Sequence, residues 1–302
     1  MKKLHLRGVT FASTIRAARG AGHHIVKGQT LQAAAALSYY SILSVFPALI
    51  FLSAVVAHMP LPNFFGDVLV GMSHALPSGS MPVIYSVLTD ILGKNSSAWL
   101  SLGTLGTIWV VSAAFDELID ALDAAYGVSD RRPFWKTRLL AVGLAAVAGV
   151  LLICAIATMV IGPRVGDWLA IQLSLSTVFV ALWPFVHWSI AASFTVLAAA
   201  TIYFLAPNIK QHFRDTLPGA ILSTASWVGL SYLLGIYFRY FENYNRTYGT
   251  LGGVMVLMTW LYWAHLILLA GGELNAELLK QTNIERLREG DKPENQGKLK
   301  RA

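Results

Sequence analysis

Read from its N-terminus, the chain alternates long apolar runs with short polar, charged or proline-rich stretches. Runs of about 20 apolar residues, wound as α-helix, match the ~30 Å hydrocarbon thickness of a bilayer. The pattern predicts an all-α fold, a polytopic membrane helical bundle with six transmembrane helices. The spans are expected at about 31–57, 98–115, 139–161, 183–206, 218–237 and 251–272. The first contains Pro47; the second continues as a polar helix, Asp116 to Asp123, towards a C-terminal cap at Gly127. Gly162-Pro163 is expected to close the third span, and Trp183-Pro184 to divide residues 170–206 into an interfacial helix and the fourth span. Pro218 suits the first turn of the fifth, and the sixth helix is expected to continue to Glu289. Between the first two spans, 63–76 and 83–92 are amphipathic and too short to cross, so they read as interfacial or re-entrant helices. The organisation is a basic segment at 1–30, a membrane domain at 31–280 and a polar tail at 281–302.

Composition changes the picture only by excluding the alternatives. Hydrophobic residues make up 55% and charged residues 13%, against about 25% charged in a soluble domain. The net charge of +7 invites a nucleic-acid reading until the positions are examined. Of 23 Lys and Arg residues, 19 fall in segments that the six-span arrangement places on one side. Only Lys94, Arg164, Arg239 and Arg246 fall on the other. By the positive-inside rule the N- and C-termini are cytoplasmic, in a bacterial inner membrane. The positive charge then serves topology and contact with anionic lipid headgroups, with no nucleic-acid partner expected. Cys154 is the single cysteine, within an apolar run, and no Cys/His spacing resembles a zinc or iron–sulfur site. No phosphate loop, HExxH or Gly-x-Ser-x-Gly motif is present, so no cofactor, metal or catalytic residue is assigned and no enzyme is expected.

The candidate chemistry is polar groups inside or beside the bundle. Ser38, Ser41 and Ser44 precede Pro47 in the first span, where hydroxyls can reach carbonyls that the proline leaves without an N–H. Such a stretch either lines a pathway or packs tightly. Asp116, Asp120 and Asp123 share a helical face with Glu117 beside them, and Glu273 and Glu277 flank Asn275 at the end of the sixth span. These read as a proton or cation relay, or as structural partners of Arg131, Arg132, Lys136, Arg138 or Arg214. His265 lies ~21 Å along the sixth span, and His187 lies in the fourth; each is either a proton-coupling site or a neutral cross-helix bond. In the aromatic stretch 237–248, Arg239, Tyr244 and Arg246 are candidate headgroup contacts, with an ordinary interfacial aromatic belt as the alternative.

Several stretches resemble the YihY/BrkB family of bacterial inner-membrane proteins. They are Ala33 to Tyr40 leading to Phe46-Pro47, Phe115 to Leu122, Leu217 to Ala220, Tyr244 to Leu251, and Gly272 to Leu278. The resemblance implies a six-span inner-membrane protein, and the family has carried a ribonuclease label, a serum-resistance association and suggestions of lipid or solute transport. It supplies no catalytic motif to carry over. The leading expectation is transport or handling of an envelope lipid or amphipathic solute. The alternative is a non-catalytic scaffold for envelope assembly, acting through an envelope protein partner or a second copy of the chain. A ribonuclease or intramembrane enzyme stands third.

Overall fold

The computed structural model describes residues 29–57, 97–128, 132–173, 177–240 and 250–290, with a few positions in 17–25 and Pro82. The expected short helices at 63–76 and 83–92 lie outside these residues, as do Tyr244 and Arg246. The described residues form six α-helices: α1 (Thr30–Ala57), α2 (Ser97–Ala125), α3 (Phe134–Gln172), α4 (Thr177–Leu205), α5 (Leu217–Tyr240) and α6 (Thr250–Gly290). A 3-10 turn at Phe213–Thr216 leads into α5. Among the described residues, α3 to α6 each contain a stretch long and apolar enough to cross a membrane.

Each helix packs against its neighbours in sequence, and α6 returns to pack on α1, so the bundle closes into a ring. Cross-helix contacts give the directions. Thr30 meets Glu273 and Ser41 meets His265, so α1 and α6 are antiparallel. Gly219 meets Asn275 and Ser231 meets Trp260, so α5 and α6 are antiparallel as well. One end of the bundle, which we call the polar end, therefore gathers Thr30, the last turn of α2, residues 206–219 and the Glu273–Glu277 turn of α6. Its core is built from Leu37, Leu118, Leu122, Leu144, Tyr203 and Leu269 with interleaved alanines. Large apolar side chains elsewhere point outwards: Leu139, Ile153, Phe185 and Leu233 are all well exposed. A helix surface of that kind is at home in lipid, where burying the backbone bonds inside each helix is the first requirement.

Helix ends follow local chemistry, with two departures from expectation. α2 ends as anticipated: Gly127 takes φ 66, and the Gly127 and Val128 amides donate to the Ala124 and Asp123 carbonyls at 3.0 and 2.9 Å. Only glycine enters that left-handed region without strain. By contrast α3 does not stop at Gly162-Pro163 but runs on to Gln172, and α4 runs unbroken through Pro184 from Thr177. The physical reason is the α3–α4 contact. Trp183 and His187, one turn apart on α4, lie against Gly162 and Gly166 on α3. The Trp183 indole N–H donates to the Gly162 carbonyl at 2.7 Å. A proline removes one N–H, and packing against a neighbouring helix holds the remaining ladder in place. α5 likewise continues to Tyr240, so Tyr237 to Tyr240, Arg239 included, are helical rather than loop.

Candidate functional site

The structure brings Ser41 and His265 together across the α1–α6 interface. Ser41 Oγ lies 3.3 Å from His265 Nε2, and His265 Nδ1 lies 2.7 Å from the Leu261 carbonyl. A carbonyl can only accept, so Nδ1 carries the proton; in the neutral ring Nε2 is then the acceptor and the Ser41 hydroxyl donates to it. The other two serines do not reach across. Ser38 donates to the Ala35 carbonyl at 2.7 Å and Ser44 to the Ser41 carbonyl at 2.8 Å. These are bonds one turn back, not to the Leu43 carbonyl that Pro47 leaves without its donor. Pro47 itself is accommodated on α2 by Gly106, where an added Cβ would sit 3.4 Å from the proline ring.

About 12 Å along α6 from His265, Glu273 is buried and accepts a bond from the Thr30 hydroxyl at 3.0 Å. Glu277, one turn further, lies against Gly20, with Gln281 Nε2 at 3.4 Å and Lys280 Nζ at 3.9 Å among the described residues. Between them Asn275 faces the other way. It is 1% exposed, accepts from the Gly219 amide at 2.8 Å and donates to the Thr216 carbonyl at 2.9 Å. Asn275 thus ties α6 to the start of α5. Spacing alone grouped it with the two carboxylates, but helix geometry puts it on a different face.

The carboxylates of α2 divide in the same way. Asp116 pairs with Arg138 at 3.4 Å; that arginine also donates to the Trp109 carbonyl at 3.1 Å and stacks 4.8 Å from the Trp109 ring centre. Asp120 is exposed, while Asp123 is 2% exposed and accepts from the Asn208 amide at 2.7 Å. Burial raises the proton affinity of Glu117, and the neighbouring charges of Asp120 and Asp116 raise it further. A carboxyl whose folded-state value is raised opposes folding as pH climbs from the ordinary glutamate range through that raised value. Glu117→Gln is therefore expected to stabilise the protein slightly at pH 8 and not at pH 4. The scale is about 0.2–0.5 kcal/mol per relieved like-charge pair. Thermal unfolding of both proteins at the two pH values checks this; an equal effect at both would refute the charge argument.

His187 stands apart from this assembly. It is buried on Gly162 of α3 with Nδ1 3.0 Å from the Trp183 carbonyl, away from the α1–α6 seam. Arg239 lies in the last turn of α5.

Residues that the sequence reading passed over complete the polar end. Tyr203 is fully buried and donates its hydroxyl to the Leu268 carbonyl of α6. Gln211 donates to the Tyr203 carbonyl at 2.7 Å, and Thr216 to the Phe213 carbonyl at 2.7 Å. Beside them is a cavity of about 350 Å³, bounded by the last turn of α2, Ile209 and α6. Its polar lining is Tyr126, Glu273, Glu277 and Lys280. The Tyr126 hydroxyl oxygen is buried, with the Gln211 side chain beside it. Burial, followed by the neighbouring Tyr203, pushes its proton affinity above that of an ordinary phenol, so it stays a neutral hydroxyl. No single signal in the sequence marks Tyr126, because the groups around it come from three separate segments.

Against this geometry, the family described as virulence factor BrkB matches residues 22–296. The chain belongs to the BrkB family. The match spans all six helices, including both partners of the Ser41–His265 and Thr30–Glu273 contacts. A relative in Bacillus subtilis (strain 168), named as a ribonuclease-like protein YfkH, is 30% identical over 250 residues, 83% of this chain and 90% of its own length. A UPF0761 membrane protein of Tolumonas auensis is 24% identical over 271 residues, 85% of this chain and 83% of its own. A UPF0761 membrane protein of Stenotrophomonas maltophilia is 23% identical over 267 residues, 85% of this chain and 59% of its own. No solved structure matches the chain. It is a BrkB-family membrane protein.

Proposed function

We propose that this protein spans a bacterial inner membrane six times, both termini in the cytoplasm, and moves or handles an envelope lipid or amphipathic solute along the α1–α6 seam. Helices α1 and α2, at 28 and 29 residues, join the four long apolar helices to complete the six. The basic segments then flank the polar end on the cytoplasmic side. The observation that carries the reading is the Ser41–His265 hydrogen bond, a polar cross-helix pair in the apolar part of the bundle. Ionisable groups at such depth mark solute or proton pathways by default. The same seam carries Thr30–Glu273 at its polar end, where the Tyr126 cavity opens.

Reconstitution into liposomes with acyl-chain-labelled fluorescent phospholipids of several headgroup classes tests the reading, with dithionite bleaching as the measure of transfer. The wild-type protein is expected to accelerate bleaching of the inner-leaflet label. Ser41→Ala and His265→Ala should slow it at least about ten-fold, the scale of one lost hydrogen bond to a polar pathway group, with unchanged melting temperature. Activity no greater than that of empty liposomes, or full activity in both variants, would sink the proposal. The second reading, a non-transporting scaffold for envelope assembly, draws on Asn275, Tyr203 and Asp123, polar groups whose hydrogen bonds tie segments together. It expects Glu273→Gln and His265→Ala to leave function intact and a stoichiometric protein partner to co-purify.

A further inference from the structure

We propose that the segment leading into α1 is a releasable strap that closes the polar end of the α1–α6 seam, and that an anionic membrane surface draws it off; this deepens the transport reading and rests on it. Ala17, Arg19, Gly20, Ala21 and Gly22 are helical. Ala17, Gly20 and Ala21 stand at i, i+3 and i+4, which is one face of a helix. Ala17 is fully buried with Leu274 and Leu278 of α6, and Ala21 is buried as well. Gly20 rests on Glu277, where an added Cβ would lie 3.0 Å from Cγ and Cδ of the glutamate. Thr30, where the segment enters α1, donates to Glu273. One stretch of chain therefore touches both carboxylates that line the cavity at the polar end.

Two features distinguish this contact from the packing of the ring. The first is that it is thin. On the side of the segment it consists of two alanine methyl groups and a glycine, whereas the ring is joined through leucines, an isoleucine and Tyr203. Hydrophobic stabilisation follows the apolar area removed from water, so small residues hold weakly. The second is charge. The first 30 residues carry six Lys and Arg and no Asp or Glu. Arg19, on the face opposite Ala17 and Ala21, is exposed. In the proposed topology the polar end lies at the cytoplasmic leaflet, and an anionic leaflet attracts each nearby basic residue within a Debye length. The docked segment meets Glu273 and Glu277 instead. An acidic mouth and an anionic surface thus compete for one basic segment, and the lipid composition sets where it lies.

Crosslinking of the full chain in nanodiscs reads the strap directly. In a Cys154→Ala background, Gly20→Cys and Glu277→Cys place two thiols within disulfide reach. Under copper phenanthroline the disulfide should form readily in phosphatidylcholine, and several-fold more slowly once phosphatidylglycerol is added. Salt at about 1 M, which shortens the Debye length to ~3 Å, should abolish that difference. The strap is overturned if no disulfide forms in phosphatidylcholine or if both lipids give equal rates; a difference that persists in high salt overturns its electrostatic release. Lipid transfer supplies the second reading. The wild-type protein should transfer several-fold faster in liposomes containing phosphatidylglycerol. Gly20→Leu, whose side chain does not fit against Glu277, should be fast with or without it. A Gly20→Leu protein that melts like wild type and is as slow in phosphatidylcholine shows that the contact closes nothing. Lipid-dependent crosslinking without transfer in any liposome removes the transport reading and leaves the strap. Transfer with lipid-independent crosslinking removes the strap and leaves the transport reading.

Discussion

Asn275→Ala is expected to destabilise the folded protein by about 2–6 kcal/mol, the sum of two buried backbone groups losing partners at about 1–3 kcal/mol each. The Gly219 amide belongs to the first turn of α5, where no intrahelical acceptor exists. Asn275 caps that amide from a different helix at 2.8 Å, and its own amide reaches the Thr216 carbonyl at 2.9 Å. Nothing else can slide in, because Gly219 and Gly271 meet there backbone to backbone. Asn275→Asp is the informative companion. It keeps an acceptor for the Gly219 amide but turns a second oxygen towards the Thr216 carbonyl and buries a charge, so it should also destabilise. Thermal unfolding in a mild detergent measures both. An alanine variant within 0.5 kcal/mol of wild type would mean that water or local movement replaces the cap.

Gly166→Ala should be nearly as damaging, at about 2–4 kcal/mol, from overpacking plus a lost hydrogen bond. A Cβ added at Gly166 falls inside the Trp183 indole. Displacing that ring breaks its bond to the Gly162 carbonyl, and in lipid a freed N–H finds no water to replace it. The same helix supplies its own control. Gly143 and Gly149 have nothing within 4 Å of an added Cβ, so alanine there should be neutral or stabilising by up to about 1 kcal/mol from helix propensity. Equal effects at Gly166 and Gly149 would show that propensity, and not the α3–α4 contact, governs this helix.

What the sequence revealed and what it hid divide along a physical line. Local signals read well. The Gly127 cap and the continuation of α6 to the neighbourhood of Glu289 depend on near neighbours in the chain. Pro163 and Pro184 misled because a proline's effect on a helix depends on what packs against it, and Trp183 on Gly162 cannot be inferred from hydropathy. The Gly162-x-x-x-Gly166 spacing gives no such signal by itself, because small-residue spacings are common and say nothing without a partner. For the candidate site, residue identity was legible and pairing was not. Ser41 and His265 are 224 residues apart, and only closure of α6 onto α1 joins them. Asn275 was grouped with Glu273 and Glu277 by proximity in sequence, whereas rotation around the helix separates a tie between helices from the groups that face the cavity.

Ring closure by α6 has a consequence for biogenesis. α6, made after α1 to α5, supplies His265 for Ser41, Glu273 for Thr30 and Asn275 for the start of α5. Until it arrives, the Thr30 and Ser41 hydroxyls of α1 and the Gly219 amide of α5 lack the partners that α6 supplies. A nascent chain halted before α6 is thus an unfinished ring with its polar seam open.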